Sequence, residues 1–183
     1  VLRLMHRTGI QSTGWMDTGD KCIRSHFARV DTDLFCNDWT TLKPAARDDI
    51  APFVVASVDI ECNSSTGKFP DADVTGDACF QIAISLCKFG SDEPYDKTCL
   101  CYKKTDPNLE GSTILSYDTE REMLEAFQKY LHKNDIDIIT GWNIFGFDME
   151  YIYKRAQINM CHPGFFNLGK LKDTDSDLVI KKL

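Results

Sequence analysis

The sequence predicts an α/β fold in which a mixed sheet is flanked by helices. Three observations carry this. Apolar, β-branched runs of strand length recur from Phe53 onward. One longer segment, Thr119 to about Lys133, repeats its apolar residues at helical spacing. The order is several sequential strands, then helix, strand, helix. Consecutive strands are expected to form an antiparallel meander, and the helix-linked strand to return parallel to the first.

Each element has its own local reason. Residues 1 to about 50 are mixed and weakly periodic, broken by Gly9, Gly14, Gly19 and Asp31-Thr32-Asp33. Leu42-Lys43-Pro44 and Ala51-Pro52 punctuate the approach to the first strong element. Phe53 to Glu61 is apolar and β-branched and reads as a central strand. A Ser-, Gly- and Pro-rich loop follows from Asn63 to Gly76. Phe80 to Cys87 is the second strand, Thr98 to Lys103 a third and Ile114 to Tyr117 a fourth. Asp118 or Thr119 can cap the long helix, and Glu120 and Glu122 suit the positive end of its dipole. Met123, Leu124, Phe127, Tyr130 and Leu131 form its core face. Ile136 to Thr140 is the next strand, ended by Gly141. Asp148 to about Gln157 is a helix with Met149, Ile152, Tyr153 and Ala156 on the buried side. A mixed sheet flanked by helices in this order resembles ribonuclease-H-like folds.

At 183 residues the chain is long enough for one domain with a proper core, and its composition, 43% hydrophobic and 27% charged, is that of an ordinary soluble protein. Its apolar stretches fall short of the roughly 18 residues of a membrane helix. Val1 to Arg7 lacks the apolar core of a signal peptide. The chain starts without Met and ends on Ile180-Lys181-Lys182-Leu183, so it is expected to be part of something longer. Eight cysteines include no C-x-x-C pair. Cys99 and Cys101 are expected on opposite faces of a strand, while Cys62, Cys79 and Cys87 lie in or beside apolar runs as small hydrophobes. Reduced, buried thiols and an intracellular setting are expected. The net charge of −7 argues, taken alone, against nucleic acid. A metal site needs acidic residues, however, and bound divalent ions reverse the local sign.

Two acidic clusters about ninety residues apart carry the chemistry. Asp59-Ile60-Glu61 ends one apolar run, and Asn143 to Asp148 follows another. Carboxylates at the ends of hydrophobic strands are costly unless they hold cations. In a strand, residues i and i+2 project from one face, so Asp59 and Glu61 point together and Ile60 points away. Such a pair repels unless a cation lies between. The bland alternatives are an exposed strand end for Asp59 and Glu61, and a helix cap for Asp148. Asn143 can hydrogen-bond sugar or phosphate oxygens or simply form a turn. Phe147 can stack on an unpaired base or fill the core.

Two segments carry a specific resemblance. Ala56-Ser57-Val58-Asp59-Ile60-Glu61-Cys62 resembles the first exonuclease motif of family B DNA polymerases. Thr140-Gly141-Trp142-Asn143-Ile144-Phe145-Gly146-Phe147-Asp148-Met149-Glu150-Tyr151-Ile152 resembles the second. The delta-type catalytic subunit, and especially its relatives in large DNA viruses of algae, are most similar. Trp39 to Leu42, Ile50 to Phe53, Gly67 to Pro70 and Phe80 to Ile82 resemble further blocks, and Gly9-Ile10 and Gly14-Trp15 the segment leading into the exonuclease domain. The resemblance implies that residues 1–50 end the polymerase's N-terminal domain and that 51–183 belong to its 3′→5′ proofreading exonuclease. It implies that Asp59, Glu61 and Asp148 hold two Mg²⁺ ions, with Mn²⁺ as a substitute, and that Asn143 and Phe147 contact the single-stranded 3′ end of a DNA primer-template. Deoxynucleoside triphosphates, a sliding clamp and accessory subunits are implied as partners of the longer protein. No membrane is expected, and the location implied is intracellular: the nucleus or a viral replication site.

The third exonuclease motif, Tyr-x-x-x-Asp, is missing. Tyr151 and Tyr153 are followed at the required position by Arg155 and Gln157, and Asp173, Asp175 and Asp177 have no Tyr four residues before them. An incomplete exonuclease domain, probed alone, is expected to show little activity. A stand-alone exonuclease of the same fold and a non-catalytic nucleic-acid-binding domain remain the alternatives. Lys172 to Asp177 is expected to be a solvated loop, since it lacks the Gly and Glu of a calcium loop. His6, His26, His132 and His162 show no ligand spacing.

Overall fold

The computed structural model describes residues 1–176. It divides into two compact units, Val1–Ala51 and Pro52–Leu183. Asp177 of the expected solvated loop lies outside the described residues.

The first unit has little regular structure. Helix α1 spans Leu2–Thr8 and ends on Gly9, whose φ of 74° is the left-handed cap that glycine adopts without strain. Strands β1 (Met16–Asp17), β2 (Cys22–Arg24), β3 (Leu34–Cys36) and β4 (Lys43–Pro44) pair as two antiparallel ribbons, β1 with β4 and β2 with β3. A single turn of 3₁₀ helix at Trp39–Thr41 is capped by the Asp38 side chain. The Arg47 guanidinium stacks over the Trp15 ring at 3.8 Å and pairs with Asp49.

The second unit holds the sheet. Strands β5 (Val54–Cys62), β6 (Cys79–Lys88), β7 (Asp96–Tyr102), β8 (Thr113–Tyr117) and β9 (Ile138–Thr140) lie in the order β8-β7-β6-β5-β9. β5, β6 and β7 form the expected antiparallel meander, and β9 returns parallel to β5. The fourth strand departs from expectation. β8 runs parallel to β7, Thr98 facing Thr113, rather than antiparallel. No tight turn follows Tyr102. Residues 103–112 instead carry the chain back to the start of β7, turning through Lys103 and Gly111, both with positive φ. Cys99 and Cys101 also differ from expectation. They share one face, with sulfurs 3.6 Å apart, because residues two apart in a strand project together.

Helix α2 (Glu120–Lys133) starts where the sequence places it. Thr119 accepts from the Glu122 N–H, and the Glu122 side chain accepts from the Thr119 N–H, a full capping box. Met123, Leu124, Phe127 and Leu131 are buried against Val54, Ala56, Val58 and Ile60 of β5 and Ile82, Ile84 and Leu86 of β6. Helix α3 (Asp148–Ile158) joins the same layer through Tyr151, Ile152 and Ala156. Tyr153, expected inside, is half-buried and stacks on Phe166. The architecture is a mixed sheet with helices packed on it, the ribonuclease-H-like arrangement.

Burial alternates strictly along the middle of β5. Val54, Ala56, Val58 and Ile60 face the helices, while Ser57, Asp59 and Glu61 are exposed on the other face. A hollow of about 670 Å³ lies on that second face, reaching from Ser57 and Asp59 across Ala83 and Ser85 to Cys99.

Candidate active site

The site is assembled by where β9 stops. Asp137 brackets the start of β5: its carboxylate accepts the Val54 N–H at 2.7 Å, and its own N–H donates to the Val54 carbonyl at 2.9 Å. Lys170 pairs with both Asp137 and Asp135. This fixes the parallel register, with Thr140 facing Ser57, and β9 ends there. Beyond Ser57 the edge of β5 has no β9 backbone beside it. Gly141 comes so close that a Cβ would drive into the Val58 carbonyl oxygen. Two residues further along β5, the Asp148 side chain takes the backbone's place: its Oδ1 accepts the Ile60 N–H at 3.2 Å.

That hydrogen bond joins the two acidic clusters. Asp148 is the first residue of α3 and only 3% exposed. It is not the helix cap, a position held by Phe147. Burial raises its carboxyl above the ordinary value, the Ile60 N–H pulls it down, and the charge of Asp59 adds to the rise. A buried carboxylate next to a like charge is stabilised by a cation. Asp59 and Glu61 share the exposed face of β5, as read from the sequence. Among the described residues, no group of three or more His, Cys, Asp and Glu side chains is close enough to hold a metal ion. The charge of Asp59 reaches Asp148, and Glu61 lies two residues from Asp59 on the same exposed face of β5.

Asn143 takes the turn-forming conformation, with φ of 52°. Its carbonyl accepts the N–H groups of Gly146 and Phe147 at 2.8 and 3.0 Å. Its side-chain oxygen fills the space that a Cβ at Gly146 would need. Phe147 is half-buried between the Phe69 and Tyr151 rings, each with its centroid 5.3 Å away. A cavity of about 350 Å³ opens there, walled by Phe69, Phe147, Glu150, Tyr151 and Lys154.

The structure adds residues that carry no role in the sequence reading. Phe69, Trp142 and Phe145 are 78%, 93% and 71% exposed, three large rings around the two clusters. Trp142 and Phe145 stand in the second motif itself, and Phe69 in the Gly67 to Pro70 block. Behind them lies a buried anchor. Arg155, 2% exposed, pairs with both oxygens of Glu120, and its remaining N–H groups donate to the carbonyls of Ala72, Val74 and Thr75. Glu120 also accepts from Cys79 N–H and Asn159. Asp77 accepts from Ser65 N–H, Ser65 hydroxyl and Asp71 N–H, while Tyr151 donates to the Asp77 carbonyl. The loop carrying Phe69 is thus fixed to α2 and α3. Neither Glu120 nor Arg155 carries a sequence signal of this role, because 35 residues separate them. His132, given no role from sequence, contacts the Asn167 carbonyl at 2.8 Å.

The sequence profile described as DNA polymerase family B, exonuclease domain, matches residues 1–181. A DNA polymerase of Acanthamoeba polyphaga mimivirus is 34% identical over 157 residues, covering 84% of this chain and 9% of its own length. A DNA polymerase of Paramecium bursaria Chlorella virus NY2A is 29% identical, covering 86% of this chain and 17% of its own. The DNA polymerase delta catalytic subunit of Bos taurus is 31% identical, covering 93% and 16%. The chain therefore spans less than two-thirds of each of these relatives, by a wide margin.

Proposed function

Because the chain belongs to the exonuclease-domain family of family B DNA polymerases, we propose that it is the 3′→5′ proofreading region of a replicative DNA-directed DNA polymerase. Residues 1–50 would end the N-terminal domain, and 51–183 would carry the exonuclease. The observation that carries the reading is the Asp148–Ile60 hydrogen bond, which ties the second acidic cluster to the strand between Asp59 and Glu61.

Asp59, Glu61 and Asp148 would hold two Mg²⁺ ions, or Mn²⁺ in their place. The donor chemistry fits: all are hard oxygen ligands, and burial next to Asp59 leaves Asp148 in need of a counter-charge. When bound, such ions activate a water and stabilise the leaving oxygen of a phosphodiester. The protein's own residues position the primer's unpaired 3′ end. Phe147 and Phe69 line the cavity, and Trp142 and Phe145 extend apolar surface for further bases. The Asn143 amide, on the turn between them, is available to sugar or phosphate oxygens. Extension from deoxynucleoside triphosphates, a sliding clamp and accessory subunits belong to the longer protein. Its place of work would be the nucleus or a viral replication site.

The test uses the full-length parent. A primer with a mismatched 3′ end is incubated in Mg²⁺ with and without deoxynucleoside triphosphates. Excision that gives way to extension is expected. Asp59→Ala should abolish excision and leave extension largely intact. Excision without extension would favour a stand-alone nuclease, and neither activity in a folded protein would favour a binding module.

A further inference from the structure

All eight cysteines are free thiols, and six of them sit in three pairs. Cys22 faces Cys36 across β2 and β3, Cys62 faces Cys79 across β5 and β6, and Cys99 and Cys101 lie two apart on β7. The exonuclease reading uses none of them. Disulfide geometry separates the three.

A disulfide needs Cα atoms about 4.4–6.8 Å apart and Cβ atoms that point at each other. Opposed residues in an antiparallel ladder alternate between hydrogen-bonded and closer, non-hydrogen-bonded pairs. Ser25 N–H donates to the Asp33 carbonyl at 2.8 Å, which marks 25:33 as a hydrogen-bonded pair. Counting along the register through Arg24:Leu34 and Ile23:Phe35 makes Cys22:Cys36 a non-hydrogen-bonded pair, where side chains approach closest. Both residues are half-exposed, and their sulfurs donate to the carbonyls of Thr18 and Asp38 at 3.4 and 3.3 Å.

The other two pairs are unsuited. Cys79 is fully buried, and its pairing with Cys62 falls at a register irregularity in the core layer. The Cys62 hydrogen bond and burial push the Cys79 thiol well up, which suppresses the reactive thiolate. Cys99 and Cys101 have Cα atoms two strand residues apart, about 6.5–7 Å, at the limit of what a disulfide spans.

We propose that Cys22 and Cys36 form an oxidisable dithiol, which a small-molecule disulfide converts into a cross-strand bond joining β2 to β3. Burial and the Cys36 sulfur push the Cys22 thiol up, and exchange can open from either sulfur, Cys36 for one. Cys36, as thiolate, attacks one sulfur of R–S–S–R; the Cys36–S–R bond forms and RS⁻ leaves. Cys22 gives up its proton and attacks the Cys36 sulfur; the Cys22–Cys36 bond forms and the second RS⁻ leaves. The two cysteine protons end on the two released thiols, and two electrons pass from the pair to the reagent. The product closes the segment between residues 22 and 36 in a ribbon that is otherwise only three residue pairs long.

The test is disulfide mapping. The native chain is incubated with oxidised glutathione, quenched in acid, unfolded, blocked with N-ethylmaleimide, digested and analysed by mass spectrometry. The Cys22–Cys36 link should be the first intramolecular disulfide, reversed by dithiothreitol, with Cys62, Cys79, Cys99 and Cys101 recovered as blocked thiols. Cys36→Ser should remove that link without promoting another. A first link at a different pair would overturn the proposal. So would glutathione adducts at Cys22 and Cys36 that never resolve into a link, or a set of links matching that of the chain oxidised in urea.

Discussion

Residues 63–78 and residues 141–147 flank the same carboxylates, one segment following Glu61 and the other preceding Asp148, yet they are held in opposite ways. The first is fixed by side chains: a buried guanidinium, a buried carboxylate and a phenol bond its backbone. The second is fixed by its own backbone, through the Asn143 carbonyl and the close approach of Gly141 to β5. Ile144 drops into the core and Phe147 packs between Phe69 and Tyr151, while Trp142 and Phe145 stand in solvent. One wall of the cleft is anchored from behind and the other leaves the Trp142 and Phe145 rings free for contact. The Phe69–Phe147 contact is where the two meet.

The largest expected effect on this contrast comes from Arg155→Ala. It strands the Glu120 carboxylate in the core and should cost about 3–5 kcal/mol in urea unfolding. A loss below about 1 kcal/mol, the range of exposed ion pairs, would break the picture of a buried anchor. Next is Gly141→Ala on the other segment. The added methyl meets a backbone oxygen rather than a movable side chain, so about 1–3 kcal/mol should be lost. Wild-type stability for this variant would mean that the turn adjusts and that its backbone is not the constraint.

Trp142→Ala should sharpen the comparison from the opposite side. Stability should stay within about 0.5 kcal/mol, as for exposed substitutions generally. Binding of a short oligothymidine, read by fluorescence anisotropy, should weaken by about 1–3 kcal/mol if the ring stacks on a base. Unchanged binding would remove Trp142 from the proposed platform.

The smallest effect concerns acid. Hydrogen bonds from the Ser65 hydroxyl, the Asp71 N–H and the Ser65 N–H hold the Asp77 carboxyl below its ordinary value. A depressed folded value means that this contribution is fully present above the unfolded value of about 3.9 and is lost as pH falls through the folded one. Stability of the wild type should therefore drop more steeply below about pH 4 than that of Asp77→Asn, measured by urea unfolding at stepped pH. Equal slopes would show that Asp77 is not an acid-sensitive tie of this loop.

Local signals in the sequence were the ones that could be read. Thr119 and Glu122 are three residues apart, so the capping box that starts α2 is visible in the chain itself. The alternation of Ser57, Asp59 and Glu61 with Val58 and Ile60 gives the two faces of β5 for the same reason. Contacts between distant residues could not be read. Glu120 looked like a dipole partner at a helix start, whereas it is the buried acceptor for Arg155. Arg155 itself drew notice only as the residue standing where a third motif would need Asp. The parallel path of β8 depends on how ten irregular residues fold back, which no period encodes. Asn143 allowed two readings, and its positive φ shows it as a turn former, with the amide role kept as a proposal.

The Asp148 carboxylate occupies a place in the β5 ladder that a backbone carbonyl would normally fill. The amide proton of Ile60 is therefore a resident spectroscopic probe of that carboxylate. Its chemical shift reports the charge on Oδ1 without any label placed in the cleft. In a heteronuclear spectrum titrated with a diamagnetic divalent ion, Ile60 should move early. Ile82, its partner on the far side of the strand pair, supplies a reference that the carboxylate does not touch.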